Sequence, residues 1–172
     1  MPFLSQPSVL KVGVPEVSIH FDAAVLGHFE RNRQSSFWSR ESGGQLFATI
    51  RGPEWTVVRA TGPRVSDFRR RFRFFPSRRD EQIEIERLFR EGLHYVGDWH
   101  THPESRPTPS YMDLHSMDEM VRRSVHELPG FLMVIVGTEL SGHGLWISFH
   151  SKSGKSERVY LEPDAQLTSN HT

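Results

Sequence analysis

The longest strongly apolar run in the chain is FLMVIV at residues 131–136, and its six residues constrain the fold most. A helix that crosses a bilayer needs about 20 apolar residues, so this run predicts a β-strand and no membrane span. At 172 residues, 36% hydrophobic and 24% charged, the chain suits one domain with enough length to bury a sizeable core.

The flanking patterns alternate between strand and helix. VSIHF (17–21) reads as a strand. Asp22 then N-caps a helix to about Trp38, with Phe21, Val25 and Phe29 recurring every four residues. GGQLFATIRG (43–52) and EWTVVRATG (54–62) read as strands joined by a Gly-Pro turn. A helix is expected from Ser77 to about Gly92, with Ile85, Leu88 and Phe89 on one face. LHYVGDWHTH (93–102) is a strand. A proline-rich loop (103–109) leads to Ser110 and a third helix, with Leu114, Met117, Val121 and Val125 turned inward. Strands at 131–137, 144–150 and 157–161 follow. No repeat or long linker interrupts the series, so one α+β or α/β domain is the economical reading. Its expected bounds are 17–161, after an N-terminal extension (1–16) without signal-peptide character and before a polar, frayed tail (162–172).

Composition narrows the chemistry. The chain has no cysteine, which excludes disulfides, thiol nucleophiles and thiolate metal sites and is compatible with a cytoplasmic location. Lysine and arginine total 21, as do aspartate and glutamate, so no global field favours nucleic acid or an anionic membrane. One segment is locally basic: Arg64, Arg69, Arg70, Arg71, Arg73, Arg78 and Arg79 interleave with Phe68, Phe72, Phe74 and Phe75. It reads either as a surface for an acidic partner or nucleic acid or as a strand with a buried Phe face and a solvated Arg face. The zero net charge favours the second.

GDWHTHPESRPTPSYMD (97–113) carries the chemistry. Residues two apart on a strand share a face, so His100 and His102 can aim both imidazoles at one point. A plain strand histidine pair is the alternative. Ser110 and Asp113 have the spacing of a helix capping box, which does not prevent Asp113, in the first helical turn, from facing the histidines. Two imidazoles and one carboxylate form a three-ligand set with an open position, as in catalytic zinc sites. His115, about 200° around the helix from Asp113, faces elsewhere. Glu41, just before Gly43-Gly44, is either a surface residue or the base that a hydrolytic site needs. Trp99 is expected to pack beneath the site, on the opposite face of the strand.

Together, Glu41, H-x-H at His100 and His102, Ser110 and Asp113 resemble the signature of the JAMM (JAB/MPN) metalloproteases, over residues 17 to 150. The ESGG and GDWHTHP contexts are similar to bacterial stand-alone members. The resemblance implies a cytidine-deaminase-like JAB/MPN domain of α/β class, a mixed β-sheet flanked by helices. Deaminases themselves are disfavoured, because their P-C-x-x-C ligands cannot exist here. It further implies Zn2+ held by His100, His102 and Asp113, Glu41 as general base, and Ser110 as hydrogen-bond donor to the oxyanion. The implied activity is cleavage after the C-terminal tail of a ubiquitin-like protein or its conjugate, with E1/E2-like enzymes of an antiphage operon as partners. An inactive scaffold, or a hydrolase of another small amide such as a sulfur-carrier adduct, would share part of this signature. Eukaryotic members carry sizeable insertions that grip ubiquitin, for which this chain has little room.

Overall fold

Where the strands begin and end follows from glycines and caps. The computed structural model describes residues 9–12, 17–139 and 142–160. Its elements are β1 (Val9–Val12), β2 (Val17–Phe21), α1 (Ala23–Asn32), β3 (Gly43–Arg51), β4 (Glu54–Ala60), β5 (Phe68–Arg70), β6 (Arg73–Phe75) and α2 (Arg78–Arg90). They continue as β7 (His94–Thr101), α3 (Tyr111–Arg123), β8 (Gly130–Val136), β9 (Leu145–Ser151) and β10 (Ser156–Val159). The tail expected to fray lies outside the described residues. In the stretch read as an extension, Val9–Val12 pairs antiparallel with β2.

Eight strands form one mixed sheet in the order β1-β2-β4-β3-β7-β8-β9-β10, and β5 and β6 form a separate hairpin. β2–β4 and β7–β8 are parallel pairs; the other pairs are antiparallel. The parallel pair β7–β8 encloses α3 as its crossover, the connection that parallel neighbours require. β8 is buried along its whole length. Leu132, Val134 and Val136 join one core with Val25, Leu26 and Phe29 of α1. Phe131, Met133 and Ile135 join the other with Met117 and Val121 of α3. Alternation along one strand thus places helices on both faces of the sheet.

Gly97 decides which side chains of β7 face α3. Its φ is +147°, and a Cβ there would lie 1.9 Å from the Leu132 carbonyl oxygen. Only glycine fits. The ladder with β3 shifts register at this point, so Tyr95 and Asp98 share a side and are hydrogen-bonded at 2.8 Å. Beyond the shift, Trp99 enters the α1-side core, beneath the two histidines, as expected.

Three expectations need correction. α1 ends at Asn32 instead of near Trp38, because Gln34 turns inward, is 3% exposed, and donates to the carbonyls of Ser39 and Arg71. Phe89 of α2 and Val125 beyond α3 are exposed; the inner face of α2 is built on Glu81 and Leu88. The Arg/Phe segment is no strand with a buried Phe face. It is the β5–β6 hairpin, with Phe68, Phe72 and Phe75 exposed.

Candidate metal centre and its surroundings

The site lies at the C-terminal end of β7, in the parallel part of the sheet, where α/β proteins commonly place ligands. The Nε2 atoms of His100 and His102 are 3.2 Å apart. Asp113 reaches them from the first turn of α3, with Oδ1 3.3 Å from His100 Nε2 and Oδ2 3.5 Å from His102 Nε2. Donors held 2.0–2.1 Å from a tetrahedral ion are about 3.3 Å from one another. The edge between the two imidazoles fits that value, and Asp113 meets each imidazole at a similar distance through a different oxygen. Three carboxylates, those of Glu41, Glu104 and Asp113, surround the two imidazoles, a surplus of negative charge suited to a cation. The Nδ1 of His102 lies 3.2 Å from Glu104 Oε2; a carboxylate only accepts, so Nδ1 carries a proton and Nε2 is left to point into the site.

Glu41 arrives by a different route. β3 pairs antiparallel with β7, Gly43 opposite His100, and the chain before β3 continues past the histidines. A Glu41 carboxylate oxygen and one nitrogen of each histidine lie within 4.8 Å of one another. The side chain is buried, at 8% exposure, and stands in a loop, not on a helix end.

The two carboxyls are driven apart in acidity. Burial raises Glu41; the nearby histidines partly offset this, and the charge of Asp113 adds to it. Burial also works against an ionised Asp113, but His100, His102 and Ser110 outweigh it and hold its carboxyl well below the usual range. Paired carboxyls split in this way are the pattern of a fixed anion beside a proton-transfer group.

Ser110 N-caps α3 in a complete capping box: its Oγ accepts from the Asp113 N–H at 3.2 Å, and Asp113 Oδ2 accepts from the Ser110 N–H at 2.7 Å. The cap uses a lone pair of Oγ, so the O–H remains a donor, and in this structure it lies beside the Asp113 carboxylate. The box also fixes the Asp113 rotamer that faces the histidines. His115 is exposed and stacks on Tyr111, away from the centre.

All five residues singled out in the sequence line one cavity of about 680 Å3, with Phe74 of the hairpin and Met117 of α3 among its walls. Sequence reasoning missed the polar groups that support it. Thr101, between the histidines on the opposite face, donates to Gln34 Oε1 at 3.1 Å and accepts from the Ser42 N–H at 2.9 Å. Arg69 donates to the Glu41 carbonyl at 2.8 Å. Elsewhere, Ser148, His150 and Asp118 hydrogen-bond in series at 3.0 and 2.8 Å. Ser148 and His150 are 3% and 1% exposed, which bars a substrate and leaves this chain as a pin between α3 and β9.

A mixed sheet covered by helices on both faces, with a His-His-Asp cluster beside a buried glutamate, defines an α/β domain built around a candidate metal centre. Residues 24–149 match the family model described as prokaryotic homologs of the JAB domain, and the chain belongs to that family. It is 34% identical over 144 residues to a protein of Vibrio cholerae serotype O1 named CD-NTase/cGAS isopeptidase, covering 80% of this chain and 83% of that one. A protein of the same name from Pseudomonas aeruginosa is 32% identical over 124 residues, covering 69% and 77%. A solution structure of a Desulfitobacterium hafniense protein shares the fold, with a TM-score of 0.55 at 16% identity over 89% of this chain and 99% of that one. No helix among the described residues is long and apolar enough to cross a membrane.

Proposed function

We propose that this protein is a zinc-dependent isopeptidase that cleaves the amide bond after the C-terminal tail of a ubiquitin-like protein or a CD-NTase. The setting is a cytoplasmic, ubiquitination-like antiphage pathway with E1/E2-like partners. The observation that carries the reading is the close grouping of His100, His102 and Asp113, with nitrogen–nitrogen and nitrogen–oxygen distances of 3.2–3.5 Å, and a buried glutamate beside it. Names of the relatives support the reaction class and bring CD-NTase conjugates into the substrate panel.

His100, His102 and Asp113 would hold the ion. Zinc, when bound, supplies Lewis acidity that polarises a carbonyl and makes water nucleophilic near neutral pH. Glu41 would take the proton of the attacking water and deliver it to the leaving amine, a role that its burial and raised pKa support. Ser110 would turn its O–H to the developing oxyanion.

The test uses ubiquitin-like proteins and CD-NTases encoded beside the gene, each fused through its C-terminal residue to a reporter. Release of the reporter, abolished by chelator and slowed at least about 10²-fold by Glu41→Gln, is the expected result. If every fusion stays intact while an unrelated small amide is hydrolysed, the substrate reading is wrong.

A further inference from the structure

The backbone of Glu41 lies outside the ladder of β3, which begins at Gly43. Both of its peptide groups are instead engaged by the hairpin. Its N–H donates to the Arg70 carbonyl at 2.7 Å, and its carbonyl accepts from Arg69 Nε at 2.8 Å. The same guanidinium donates through Nη2 to Ser42 Oγ at 2.5 Å. Arg69 and Phe74 are cross-strand partners in the hairpin, so their side chains leave on one face. Phe74 covers the next residue along: a Cβ on Gly43 would lie 2.6 Å from its ring. One inward pair therefore grips three consecutive residues, 41 to 43. The opposite face of the hairpin carries Phe68 and Phe75, both exposed. A two-stranded hairpin is marginal by itself, so its contacts with residues 41–43 fix the register of both partners.

We propose that Arg69 is a positioning residue for Glu41: the hairpin clamps the backbone of the base and so fixes where its carboxylate stands relative to the two histidines. This rests on the reading of Glu41 as the base. The side-chain hydrogen bonds of Arg69 go to Glu41 and Ser42 and none to either histidine or Asp113, so its removal takes no ligand from the proposed metal site. A base displaced by about 1 Å can cost a hundredfold in rate, and the loss belongs in kcat.

The experiment is a double-mutant cycle on full-length protein, read with the reporter fusion cleaved fastest in the panel above. Arg69→Ala should keep one zinc per chain, lower kcat at least tenfold, and leave KM within about twofold. Arg69→Lys, which keeps a charged donor but not the fork that reaches both Glu41 and Ser42, should recover part of the loss. In a Glu41→Gln background, Arg69→Ala should change the residual rate less than twofold, because residues acting as a unit are non-additive. Hydrogen–deuterium exchange supplies a readout independent of turnover: Arg69→Ala should speed exchange of the Glu41 amide while leaving α3 protected as in the parent. Losses that multiply in the cycle, or unaltered exchange at Glu41, would overturn the positioning role. If Glu41→Gln alone retains full turnover with zinc bound, the base reading falls, and this inference with it.

Discussion

At the scale of single residues, the centre is an exercise in distinguishing ligand, base and donor. Asp113 and Glu41 are both carboxylates near the same two imidazoles: Asp113 has an oxygen 3.3–3.5 Å from each, and a Glu41 oxygen lies within 4.8 Å of a nitrogen of both. Asp113→Ala and His100→Ala are therefore expected to lose the metal in elemental analysis of folded protein. Glu41→Gln is expected to keep one zinc per chain and lose at least about 10²-fold in rate, the usual scale of a general base. Unchanged turnover in Glu41→Gln would move the base elsewhere. Ser110 has two roles that a well-chosen substitution separates. Glycine at an N-cap costs only a few tenths of a kcal/mol relative to serine, so Ser110→Gly should melt almost as the parent does. Its rate should still fall about 10²–10³-fold, as when an oxyanion donor is removed. A rate loss no larger than the stability change would reduce Ser110 to a cap.

Elements show what a sequence exposes and what it hides. Strand and helix positions were legible wherever local periodicity and caps decide them, as in β2, α3 and the Ser110–Asp113 box. The grouping of the candidate metal residues was legible for the same reason: the proposed ligands lie within fourteen residues, from His100 to Asp113. What failed were positions settled by distant partners. Gln34 ends α1 early through a bond to Thr101, 67 residues away, and Arg69 reaches Glu41 across 28 residues; no local pattern announces either. On α2 the inward face carries Glu81, 5% exposed, which the apolar-stripe reading could not anticipate. Burial, then the charge of Asp98, push the Glu81 carboxyl up to about 7, against the attraction of Arg78. A raised carboxyl pKa means that the folded state binds the extra proton. The contribution of this group is complete below its ordinary value of 4.5 and is lost as pH rises through 7. Glu81→Gln should flatten the stability curve between these limits and be neutral to about 1 kcal/mol stabilising at pH 8, since Arg78 is largely exposed and is not left as a buried charge. Denaturant melts at pH 5 and 8 check it; a destabilised variant at pH 8 would mean that the Arg78 pair outweighs the cost of burying Glu81.

For the whole molecule, the proposed ligands matter as a cross-link. His100 stands on a central strand and His102 just past its end, and Asp113 belongs to a helix that packs on that strand's neighbour through Met117 and Val121 against Phe131, Met133 and Ile135. The proline-containing loop between them leaves α3 attached by its apolar face, by the Asp118–His150 pin and, when present, by the ion. Unfolding separates strand from helix and destroys the site, so the metal binds the native state alone and stabilises it by mass action. Free zinc at a hundredfold over its dissociation constant contributes about 2.7 kcal/mol. At roughly 2–4 °C per kcal/mol for a chain of this size, chelation should lower Tm by roughly 5–10 °C. Glu41→Gln should show the same drop, because it removes no ligand. Asp113→Ala should melt low at the outset and show no further drop with chelator. Differential scanning calorimetry with and without chelator, on all three proteins at one concentration, makes the comparison. A chelator shift that survives in Asp113→Ala would mean that the stabilising ion sits elsewhere than between strand and helix.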